Sequence, residues 1–100
     1  MSGSSDAVLA GRWVRDPGVH SVELDGEALL YDTRSGRVHL LNTSACLIWS
    51  SLEEDITGTE LATELAAAFE VPFDVIAGQV AQAIATMVAE GLLVECHRGA

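Results

Sequence analysis

The sequence predicts an α+β domain of winged-helix character, with a three-stranded antiparallel sheet followed by three helices. Three observations predict it. Apolar and polar residues alternate with period two between His20 and Leu41, the period lengthens to about 3.6 after Leu41, and turn or cap residues stand at the junctions. At 100 residues the chain can bury one core of this kind without a disulfide or metal staple.

Residues 1–15 mix Ser, Gly, Ala and charge without a period, and Asp16-Pro17-Gly18 is a turn signal. This stretch is expected to be a flexible N-terminal lead-in, with order beginning near Val19, the domain occupying residues 16–96 and residues 97–100 forming a C-terminal tail. His20-Ser21-Val22-Glu23-Leu24 alternates as a half-buried strand does, and Asp25-Gly26 follows it as a tight hairpin signal. Glu27 to Asp32 makes the second strand. After the turn Thr33-Arg34-Ser35-Gly36, residues Arg37 to Leu41 make the third, with Val38 and Leu40 on one face and His39 and Leu41 on the other. Asn42 or Thr43 caps a helix whose Ala45, Ile48, Trp49 and Leu52 share a face. Thr57 and Glu60 have capping-box spacing and open a second helix with Leu61, Leu65, Ala68 and Phe69 inward. Val71-Pro72 stops it. Asp74 is expected to cap a third helix with Ile76, Val80, Ile84, Met87 and Val88 in a stripe, ending at Gly91. Leu92 to Glu95 is placed as a short returning strand.

Composition narrows the function. Fifteen acids face five arginines and no lysine, for a formal net charge of −10. Such a surface repels nucleic acid, whose binding depends on cations that displace counterions from phosphates. The third helix carries no cation between Val75 and Glu90, so it is not read as a DNA-recognition helix. A partner with basic residues fits better. No apolar run reaches membrane-spanning length, and the N-terminus lacks the pattern of a secretory signal, so no membrane partner and a cytoplasmic location are expected. Cys46 and Cys96 lack zinc or redox spacing and are expected to remain two unbridged thiols.

Nothing in the pattern calls for catalysis. His20, His39 and His97 have no second ligand at helical or loop spacing, the glycines form no phosphate loop, and the carboxylates fall in turns, caps and solvent faces. No catalytic residue, metal ligand or cofactor is assigned. Trp49 shares its helical face with Ala45 and Leu52 and reads as core rather than as a ligand platform.

The run from Glu23 to Leu52, followed by Thr57 to Val71 and closed by a helix ending Ala89-Glu90-Gly91-Leu92-Leu93, resembles the PqqD family, also called the RiPP recognition element. The likeness spans roughly Val19 to Val94. Its most telling piece is the order strand, turn, strand, Leu-Asn, small residue, Ile-Trp between Leu29 and Trp49. The loop Glu53 to Ile56 lacks the family's common Asp-Gly. The resemblance implies a non-catalytic domain that holds the leader segment of a ribosomally made precursor peptide. The leader would add as a strand beside the third strand and against the third helix. It implies peptide-binding positions at Arg37, Val38, His39, Leu40, Leu41, Val75, Ile76, Ala77, Gln79, Val80, Ala81 and Ile84. Pocket walls are expected at Val38, Leu40, Leu41, Ala77, Val80, Ala81 and Ile84, the alternative being that these are core. Implied partners are the precursor and a modifying enzyme such as a radical SAM enzyme, a leader peptidase or a cyclase. The alternative is a regulatory or protein-protein interaction module that uses the same groove for a folded partner.

Overall fold

The computed structural model describes residues 8–53 and 56–96. Along them run β1 (Arg12–Arg15), β2 (Val19–Leu24), β3 (Glu27–Asp32), β4 (Val38–Leu41), α1 (Thr43–Ser51), β5 (Ile56–Thr57), α2 (Gly58–Phe69), α3 (Phe73–Ala89) and β6 (Leu93–Glu95). These strands build two antiparallel sheets of three, ordered β2-β3-β4 and β5-β1-β6.

The first sheet is the meander that the alternation predicts. Asp25 and Gly26, with φ of 54° and 80°, turn β2 into β3 in the left-handed conformations whose twist suits a two-residue hairpin. The β3–β4 turn is clasped to the turn before β2. Arg34 Nη2 lies 2.9 Å from Asp16 Oδ2 and its Nε 3.5 Å from Asp32 Oδ1, so both buried carboxylates have a cationic partner. The Arg34 backbone N–H also donates to Asp32 Oδ1 at 2.9 Å, and that bond is the main reason the Asp32 carboxyl sits below the usual aspartate range.

The second sheet corrects the lead-in. Arg12–Arg15 is its central strand, paired with Ile56–Thr57 on one side and Leu93–Glu95 on the other. Trp13 is buried and its Nε1 donates to the Val8 carbonyl at 2.8 Å. A Cβ on Gly58 would stand 2.8 Å from Leu9 Cα, so glycine there lets residues 8–9 lie directly on the start of α2. Thr59 Oγ1 ties the same segment down by donating to the Leu9 carbonyl at 3.0 Å. Arg15 reaches across to α1, its guanidinium 4.6 Å from the centroid of the Trp49 ring and donating to the Trp49 carbonyl from Nε (3.0 Å) and Nη2 (2.8 Å). A four-residue strand flanked by arginines, whose partners lie more than 40 positions away, leaves almost no local period to read. Residues 1–7 and the tail placed at 97–100 lie outside the described residues.

The helix signals resolve in more detail. Asn42 caps α1, its Oδ1 accepting from Ala45 N–H at 2.9 Å. Thr57 and Glu60 close a reciprocal capping box on α2. α3 begins two residues earlier than expected, at Phe73, with Pro72 as its cap, so Asp74 occupies the first turn rather than the cap. At its far end Leu92 N–H donates to the Met87 carbonyl at 2.9 Å across Gly91 and stops the helix. α2 buries Leu61, Ala62 and Ala66, whereas Ala68 and Phe69, expected inward, are exposed because the last turn runs past the core. Val88 likewise falls off the buried stripe of α3, which is Ala77, Val80, Ala81, Ile84 and Met87. Trp49 lies at the centre of the core with Leu30, Leu52, Leu61, Ile84 and Leu92. Among the described residues no helix is long and apolar enough to cross a membrane.

Candidate groove beside the edge of the meander

β4 is an edge strand: it pairs with β3, and no other described strand lies on its far side. Which of its backbone groups face that far side follows from the register. Asp32 N–H donates to the Arg37 carbonyl at 2.9 Å, so Asp32 and Arg37 form a hydrogen-bonded pair. Pairs alternate along an antiparallel ladder, so His39 opposite Leu30 and Leu41 opposite Ala28 also bond to β3. The N–H and C=O groups of Val38 and Leu40 therefore point outward. That edge offers four main-chain hydrogen-bonding groups to an added strand.

From the end of β4 a groove runs between α1 and α3. Near β4 it is lined by Asn42, Ser44 and Ala45 on one wall and Gln79, Gln82 and Ala83 on the other. Further along it opens into an apolar cavity of about 280 Å³. Leu47 and Ile48 of α1, Leu65 and Phe69 of α2, Val71, and Val75, Ile76 and Val80 of α3 form its walls. Among the described residues, no charged side chain lines either part. The polar lip consists of amides and a hydroxyl, which can orient a peptide backbone without selecting its charge.

The residues proposed from sequence separate by position. Val75, Ile76, Gln79 and Val80 line the groove. Ala77, Ala81 and Ile84 are buried within the core side of α3, and Leu41 is buried beneath the meander. Val38 and Leu40 are exposed, but their side chains stand on the outer face of the sheet, with their backbone on the edge. Arg37 is exposed at the entrance to β4. His39 points inward, with Nδ1 3.6 Å from Glu90 Oε1 at the end of α3 and Nε2 buried without a hydrogen-bond partner among the described residues. It links β4 to the end of α3 rather than facing the groove.

Sequence reasoning missed the opposite wall. Ser44, Leu47, Leu65, Phe69 and Val71 come from α1, α2 and the loop after α2. The available signal was surplus apolarity: Leu47 lies off the face shared by Ile48 and Trp49, yet it is a leucine.

Comparison with known proteins bears on the family and the fold. Residues 27–93 match the family described as Coenzyme PQQ synthesis protein D (PqqD). No curated protein matches the sequence. Among solved structures, TbiB1 in complex with the TbiA(beta) leader peptide superposes with a TM-score of 0.73 at 22% identity, covering 80% of this chain and 93% of that one. Lasso peptide synthetase B1 complexed with its leader peptide superposes with a TM-score of 0.71 at 23% identity, covering 82% and 96%.

Proposed function

The chain belongs to the PqqD family, and on that footing we propose that it is a non-catalytic, cytoplasmic domain that captures the leader segment of a ribosomally made precursor peptide for a modifying enzyme. The leader adds as a fourth strand to β4 and sends apolar side chains into the groove between α1 and α3. The observation that carries this reading is the outward pair of Val38 and Leu40 backbone groups beside an uncharged apolar groove. The two similar structures, both holding leader peptides, support it.

The magnitudes are compatible. Four main-chain hydrogen bonds contribute about 2–6 kcal/mol net. Micromolar affinity needs about 8 kcal/mol beyond the costs of association. Burying two or three leader side chains in the groove adds about 1.5–3 kcal/mol each. Neither contribution suffices alone, so edge and groove act together. Isothermal titration of the protein with the leader of its own precursor tests the proposal: saturable one-to-one binding is expected, while equal affinity for a scrambled peptide of the same composition would refute it.

A further inference from the structure

The leader reading uses the edge of β4 and the groove beyond its end, but the outer face of the same meander is also apolar. Val22 and Leu24 of β2, Leu29 and Tyr31 of β3, and Val38 and Leu40 of β4 are each between 43% and 72% exposed. Val22, Leu29 and Leu40 stand in one cross-strand row, and Tyr31 and Val38 are paired in the next. Monomeric proteins seldom leave contiguous apolar patches above a few hundred Å² without a partner. Asp25 and Glu27 border the row at the hairpin end, where a shallow recess runs from Val22 and Leu24 across Leu29 to Leu40.

We propose that this outer face docks the enzyme that modifies the precursor, through an apolar strip on that enzyme bordered by Lys or Arg. The proposal rests on the leader-capture reading. Charge selects this occupant: the chain carries a net charge of −10 and no lysine, and acids border the patch, so a second copy would bring like charges together while a basic rim would be attracted. Continuity selects it too. A leader added to β4 extends the same sheet, so an enzyme seated on the outer face lies beside the segment it must receive.

The test separates docking from leader capture by working at β2, the strand farthest from the leader edge, and at Glu27, the first residue of β3 at the hairpin end. Val22→Thr with Leu24→Thr keeps strand-compatible residues, and Glu27→Lys separately reverses the rim charge. Leader affinity is measured by titration, and conversion of full-length precursor is measured with the enzyme that modifies it. Expected are a leader Kd within about twofold of the parent and conversion at sub-saturating protein lowered by about tenfold or more. Fusing the variant to the enzyme through a flexible linker should restore conversion, because tethering replaces docking with effective concentration. Unchanged conversion in both variants overturns the proposal, as does a loss that fusion leaves in place. A dimer in sedimentation at about 0.15 M salt that the β2 variants dissociate would also overturn it, by assigning the face to a second copy. Failure of the parent protein to bind leader at all would instead sink the capture reading.

Discussion

Replacing Arg15 by methionine tests whether the N-terminal segment is part of the domain. The guanidinium makes two hydrogen bonds to the Trp49 carbonyl, in the last turn of α1, which also accepts the Leu52 cap N–H, and it stacks on the Trp49 ring. α1 has no basic residue in its last turn, so Arg15 supplies that cation from β1. Hydrogen bonds to a charged group contribute about 1.5–3 kcal/mol. Cation–π stacking adds about 0.5–2 kcal/mol. Both come from one group with 21% of its side chain exposed, which lowers their sum, and methionine keeps the stem and a sulfur-ring contact. A net loss of about 2 kcal/mol follows. In a chain of this size that lowers Tm by roughly 8–16 °C. Urea denaturation followed by tryptophan fluorescence should show a lower midpoint at unchanged slope. Arg37→Met, at an exposed turn, should stay within about 0.5 kcal/mol of the parent. If Arg15→Met also stays within about 0.5 kcal/mol, β1 is not anchored to α1 as described.

Three further outcomes follow from the same geometry. Leu47→Asp, at a partly exposed groove wall, should weaken leader binding by about tenfold or more while thermal stability changes little; equal affinity would remove this wall from the site. Because the folded state holds the Asp32 carboxyl below its usual range, its contribution to stability is present above the unfolded pKa and is lost as pH falls through the folded value. Asp32→Asn should therefore flatten the acid limb of stability against pH below about pH 4, and an unchanged limb would contradict the Arg34 clasp. The acidic surface should make association with a Lys- or Arg-rich leader slow as salt rises, with dissociation nearly constant, as stopped-flow mixing would record.

The parts of the fold that were legible were local ones. Alternation from Val19 to Leu41, the Asp25-Gly26 turn and the Thr57-Glu60 capping box each place their information within a few residues, and each structure formed where its residues stand. The second sheet was not legible, because β1 finds both its partners through tertiary packing and has only Trp13 to show alternation. The candidate groove was legible only in part. Its strand edge and the α3 wall at Val75, Ile76, Gln79 and Val80 lie on elements readable by period. The wall made by Leu47, Leu65, Phe69 and Val71 exists only where three segments converge. Phe69 shows the limit of a face drawn by period alone: the helix carries it past the end of the core and onto the lip of the groove.

Strand addition at β4 makes a claim about individual amides, and hydrogen exchange read residue by residue tests it most directly. Before leader is added, Val38 and Leu40 amides face outward and should exchange fast, while His39 and Leu41, bonded to β3, should be slower. At saturating leader the Val38 and Leu40 amides should slow by about tenfold or more, so that protection becomes continuous along β4. If leader binds and slows amides elsewhere while Val38 and Leu40 exchange as before, the peptide does not add to this edge and the central claim fails.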